Sequence, residues 1–330
     1  MESSSSPAPP PGGPVRIADR INRILEKAMP LLTPLGVAMG VLLPLAFSRL
    51  RPLVPWLFGT ITLAGALKLR ARELGGALST PLPLLFFFVT AHILMPLVVL
   101  LLSSLVFRND PDTVSGYVLL YSVPVAVTSF IWVSIFRGDL ALTLALILMD
   151  TILAPVVAPG TVRLLLGTSV KLDMTGMAVS LLCMVAIPTI LGVVLNEISR
   201  GKIPALISPW LTPFSKVCMV MVIAANSSAV ASQVRPDNPR IWVIMAVCIL
   251  FSGMGFICGK FTSLAGKLKK EKQISLFFAS GLRNTSAAMT LGTQFFPASA
   301  ALPAVLGIMF QQTIAAIMGR IMLGKTEDKK

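Results

Sequence analysis

Ten apolar runs of roughly 20 residues constrain this chain more than any other feature, because only a helix or a closed barrel satisfies its backbone inside a bilayer. They fall at 29–48, 53–69, 82–107, 115–136, 139–166, 174–197, 205–231, 239–262, 273–296 and 298–323. The 330 residues are 55% hydrophobic and 13% charged, which is too little polar surface to cover a water-soluble fold of this size. The spacing predicts an all-α polytopic membrane protein with ten transmembrane helices.

The net charge of +14 would ordinarily suggest nucleic acid. Here the cations sit in short loops between apolar spans, so the expected surroundings are a lipid bilayer, with no nucleic acid partner. With ten spans, 19 of the 28 Lys and Arg residues fall on one side, among them Arg16 to Lys27, Arg70, Arg72, Arg137, the cluster Lys260 to Lys272, and Lys325 to Lys330. That asymmetry predicts a multi-pass protein of the cell (inner) membrane with both termini cytoplasmic. The stretch 1–27 reads as a disordered Ser/Pro tail without a cleaved signal peptide, followed by a short basic amphipathic helix on the membrane surface from Arg16 to Lys27. The ten-helix domain is expected at 28–323 and a charged tail at 324–330.

Ten spans divide as five plus five, about 28–166 and 174–323. An odd number per half gives the halves opposite orientation, as in the inverted repeats of many secondary transporters. The fourth and ninth spans are then equivalent, and both are interrupted, by SVPVAVTSF (Ser122 to Phe130) and ASGLRNTSAA (Ala279 to Ala288). Paired broken helices point to a binding site at the repeat interface; ordinary proline or glycine kinks are the other reading.

Arg283 lies deep in the ninth span, where a charge faces a protein interior or a water-filled cavity. Either it is half of a structural ion pair, or it forms an anion site with the positive end of a half-helix beginning near Asn284. Asp150 is the carboxylate nearest the middle of a span, and pairing with Arg283 is the simplest way to keep it charged. It otherwise caps a helix. Weaker site candidates are Thr128 and Ser129, Thr285, Asn226 with Ser227 and Ser228, and Gln311 with Gln312; each also serves as a hydrogen bond between helices. His92, the single histidine, is either a titrating group or an interhelical contact. Cys183, Cys218, Cys248 and Cys258 show no metal spacing and read as small buried hydrophobes. No hydrolase, zinc-protease or P-loop motif is present, so no enzyme and no cofactor are expected.

PVAVTSFIWVSIFRGDLALTLA (Pro124 to Ala145), AHILMP (Ala91 to Pro96) and GLRNTSAAMTLG (Gly281 to Gly292) together resemble the bile acid:sodium symporter family over about residues 20 to 324. The resemblance implies a core domain and a panel domain, with broken helices 4 and 9 crossing in the core, and transport of organic anions such as bile acids and small carboxylates, commonly with sodium. It also implies sodium ligands at positions that are largely replaced here. Ser129, Thr143 and Asn284 remain, whereas Phe130, Ile147, Ala279 and Arg283 stand at other ligand positions. The chain thus reads as a divergent bacterial-type member. It is expected to be a secondary active transporter of small organic anions by alternating access. Arg283 and Asn284 would meet the carboxylate, and Na+ or H+ would be the coupling ion, the latter through Asp150 or His92. The alternatives are a proton/cation exchanger using Asp150 and a non-transporting membrane scaffold.

Overall fold

A computed structural model describes residues 13–70, 81–167, 173–235 and 237–324. The Ser/Pro tail at 1–12, Arg72, and the charged residues Lys325, Lys329 and Lys330 lie outside the described residues. The protein is all-α: α1 (Gly13–Leu42), α2 (Val54–Ala66), α3 (Pro81–Val106), α4 (Pro111–Ser122), α5 (Ser129–Ile135), α6 (Leu140–Leu166), α7 (Met174–Ile198), α8 (Lys202–Ser227), α9 (Pro239–Ala265), α10 (Lys270–Gly281), α11 (Thr285–Phe295), α12 (Leu302–Gly307) and α13 (Gln311–Leu323). Six of the described helices are each long and apolar enough to cross a membrane, and α12 with α13 makes a seventh span bent by 46°. The rest of the expected spans are the short α2 and two pairs of half-helices, α4/α5 and α10/α11.

The first helix differs from expectation. The segment Arg16 to Lys27 is not a separate surface helix but the beginning of α1, which runs unbroken to Leu42. Lys216 on α8 explains this: its Nζ donates to the Asn22 carbonyl and pairs with Glu26 at 3.2 Å, tying the polar start of α1 to a neighbouring span. Further along, Gly36 and Gly40 let the two backbones close. A Cβ at Gly40 would lie 2.2 Å from the Ala224 carbonyl oxygen.

Two groups of helices result. In one, α1 packs along α8, α8 on α2, and α2 on α7. The other surrounds the half-helices, with α10 against α9, α3 against α4, and α12 against α4, α9 and α11. Tyr117 anchors its interior. The ring contacts Phe107 and Phe251, and the hydroxyl donates to the Ile244 carbonyl at 2.6 Å.

Proline sets two local distortions. Pro96 and Pro188 have no N–H to offer the carbonyl four residues back, and α3 and α7 each widen into a π-turn just before, at Thr90–Leu94 and Leu182–Ala186. The first of these turns carries His92.

Candidate functional site: the crossing of two broken helices

Pro124 ends α4 and Gly281 ends α10. Each is followed by a few extended residues before the chain turns helical again. The two extended segments pair antiparallel, Val125 opposite Arg283. Ala126 N–H donates to the Leu282 carbonyl at 3.0 Å and Asn284 N–H to the Pro124 carbonyl at 2.8 Å. Backbone groups freed by the breaks thus satisfy one another, which lets irregular chain persist at membrane depth. A Cβ at Gly281 would run into the Phe256 ring, so the break also needs a residue without one.

Four half-helix ends meet here. Asn284 caps α11, its side-chain oxygen accepting from Ala287 N–H at 3.2 Å. Gln311 at the start of α13 donates to the Arg283 carbonyl at 2.7 Å and also contacts the Thr285 hydroxyl. Gln312 donates to Thr128 Oγ1 and accepts from Trp132 Nε1 at 2.7 Å, linking α13 to α5.

Beside the crossing lies a cavity of about 170 Å³ between the two helix groups. The crossing side supplies Thr128, Arg283, Asn284, Thr285, Ser286, Gln311 and Gln312. The facing helices supply Thr33 from α1, Phe58 and Ile61 from α2 and Met219 from α8. Ala126, Val127 and Ile308 complete the crossing side, so that wall mixes polar and apolar groups and carries the N-terminus of α11; the other is mostly apolar.

Arg283 is only 3% exposed. Its Nη2 donates to the Tyr121 carbonyl at 3.2 Å and reaches the Ala91 carbonyl at 3.5 Å, while Nε and Nη1 are buried without a partner among the described residues. The Tyr121 carbonyl is one of those left over at the C-terminus of α4. The expected Arg283–Asp150 ion pair does not form. Fully buried Asp150 accepts instead from Val125 N–H at 2.7 Å, and its other oxygen lies 2.7 Å from His92 Nε2. His92 sits in the π-turn of α3 and meets Asp150 on α6.

Of the sequence candidates, Thr128, Arg283, Asn284, Thr285, Gln311 and Gln312 come together around the cavity. Asn226 does not: its amide donates to Thr290 and its oxygen accepts from Thr293, tying α8 to α11. Ser227 sits against Gly40 in the α1–α8 contact, and the Ser228 hydroxyl bonds its own helix at Ala225. Ser129 is buried and its hydroxyl has no partner among the described residues. Thr143 donates to the Asp139 carbonyl within the first turn of α6. Cys183 is exposed, contrary to the expectation of burial. Sequence reasoning missed Thr33 and the apolar wall, whose residues differ in no visible way from other span residues.

The sodium-ligand positions implied by the resemblance do not make an oxygen cage. Ile147 and Ala279 belong to one apolar cluster with Val125, Leu142, Leu146 and Leu276, and Phe130 packs against it. Hard cations need several convergent oxygens. What remains is Ser129, Thr143 and Asn284 beside a guanidinium.

The Sodium Bile acid symporter family model matches residues 54–235, a stretch that includes the first broken helix and Asp150. The chain belongs to this family. It is a family of membrane transporters and not of enzymes. The chain is 39% identical over 301 residues to the Bacillus subtilis "Uncharacterized protein YbaS", covering 91% of this chain and 98% of that protein. It is 27% identical over 263 residues to the Arabidopsis thaliana "Probable sodium/metabolite cotransporter BASS3, chloroplastic", covering 79% of this chain but 59% of the plant protein. The Bacillus subtilis "Uncharacterized sodium-dependent transporter YocS" is 20% identical over 292 residues, 88% of this chain and 89% of that protein. Residues 54–235 contain His92, Val125 and Asp150; Arg283 and the second break lie beyond them.

Proposed function

We propose that this protein is a secondary active transporter of a small organic anion, a carboxylate of a few carbon atoms. It works by alternating access of the helices around the crossing against α1, α2, α7 and α8, in two inverted five-helix halves with both termini cytoplasmic. The cavity beside the crossing carries the reading. Its crossing side holds the start of α11, whose positive helix end favours an anion, with the buried Arg283 charge behind it. The opposite wall suits a short hydrocarbon body. At about 170 Å³ the cavity is smaller than the ~300–1,000 Å³ typical of drug-sized ligands, which favours a small carboxylate over a steroid. The names of the plant relatives, sodium/metabolite cotransporters, agree with a metabolite cargo.

The test is counterflow. Proteoliposomes loaded with one unlabelled carboxylate from a panel of three to six carbons are given the same compound labelled outside, at equal pH and equal salt. Accumulation of label for at least one member is expected. Properly inserted protein that exchanges none of the panel would contradict the reading.

A further inference from the structure

His92 and Asp150 form a buried acid–base pair beside the crossing. We infer that this pair carries the coupling ion as a proton, in the part of the fold where sodium ligands are replaced. The inference rests on the transport reading above and adds the driving ion to it.

Three observations meet at this point. First, the geometry is that of a proton acceptor waiting to be charged. Asp150 holds His92 Nε2 at 2.7 Å, so with that nitrogen donating, Nδ1 is left with its lone pair. Nδ1 is buried and has no partner among the described residues. A proton added there converts the ring to an imidazolium, which the Asp150 carboxylate at Nε2 stabilises by a charge-assisted hydrogen bond. Phe88 stacks on the ring and Phe87 meets it edge-on, holding its orientation.

Second, the pair is wired to the part that moves. The second oxygen of Asp150 accepts from Val125 N–H, within the bridge to Arg283. The state of the pair therefore bears directly on the crossing, and through it on the start of α11 at the cavity.

Third, the charges balance. Arg283 on the facing extended segment is the other charged group at the crossing, opposite the residue that Asp150 binds, and it donates to the Tyr121 carbonyl of α4. With His92 neutral, Arg283 and Asp150 sum to zero. A proton taken from bulk water onto Nδ1 makes the cluster +1, the charge that one sodium ion would bring. That gain favours a carboxylate in the neighbouring cavity, and by reciprocity the carboxylate favours the proton. The pair thus loads proton and anion together and releases both on the other side, with no bond to the cargo made or broken.

The experiment uses the full chain in proteoliposomes and the labelled carboxylate found by counterflow. Wild-type protein is given a proton gradient, acid outside, or a sodium gradient, with voltage clamped by potassium and valinomycin. The expected result is accumulation up to about tenfold per pH unit for a monoanion with one proton, and no accumulation from sodium. His92→Gln and Asp150→Asn should lose gradient-driven accumulation and show slowed, above-background counterflow at equal pH, while a cooperative thermal transition of each purified variant reports correct folding. Accumulation driven by sodium, or by protons in both variants as in wild type, would overturn the inference and leave the transport reading standing. Absence of counterflow in wild type would instead remove the transport reading itself.

Discussion

Val125 and Arg283 face each other across the antiparallel bridge that joins the two broken helices, and each is bound behind the bridge: Val125 to Asp150, Arg283 to the Tyr121 carbonyl. Two helix breaks far apart in sequence are thereby one structural unit. A change on either strand is felt on the other.

Removing the Arg283 side chain should be severe for that reason. Arg283→Ala leaves the Tyr121 and Ala91 carbonyls without their donor and takes the positive charge from behind the start of α11. A buried charge-assisted hydrogen bond contributes on the order of 1.5–3 kcal/mol. Carboxylate uptake should fall to background while the protein still inserts, as judged by detergent-extracted yield and gel filtration. Uptake at the wild-type rate would contradict the role given to this residue.

Asn284 separates capping from anion binding. Its side chain caps α11, and Asn and Asp cap about equally well. Asn284→Asp should therefore keep the melting temperature within a few degrees yet repel a carboxylate from the cavity, lowering counterflow at least about tenfold, equivalent to roughly 1.4 kcal/mol. Thermal unfolding and counterflow measured on the same preparation check both halves.

Close backbone contact should show in stability alone. A Cβ at Gly116 would lie 2.0 Å from the Ala300 carbonyl oxygen, whereas one at Gly253 meets nothing within 4 Å. Gly116→Ala forces α4 away from the turn before α12, at a cost of about 1–3 kcal/mol. Gly253→Ala, also within a helix, should be neutral or slightly stabilising. Melting temperatures of the two variants give the comparison; equal values would show that α4 is not tightly seated.

Much of this was legible in the sequence. Apolar length gave the long spans, because bilayer thickness is a fixed ruler. Pro124 and Gly281 gave the breaks, because each is chemically unsuited to helix interior where it stands. The partner of Asp150 was not legible. The sequence suggests Arg283 as the obvious counter-charge, but the choice of His92 depends on how α3 and α6 are rotated against each other. Asn226 and Gln311 are alike as buried amides in interrupted spans. One links two helices and the other lines the cavity, a distinction set by tertiary packing. The continuity of α1 was hidden too, since Arg16 to Lys27 alternates as a surface helix does and its tie to Lys216 spans some 190 residues.

The claim that the cavity beside the crossing is the transport path is tested most directly at Thr33, on the wall facing the polar residues. In a background where exposed Cys183 is replaced by Ser, Thr33→Cys can be reacted with a charged methanethiosulfonate reagent while carboxylate counterflow is followed. The account predicts that modification brings counterflow to background and that saturating carboxylate slows the modification several-fold. Counterflow unchanged by complete modification would contradict it.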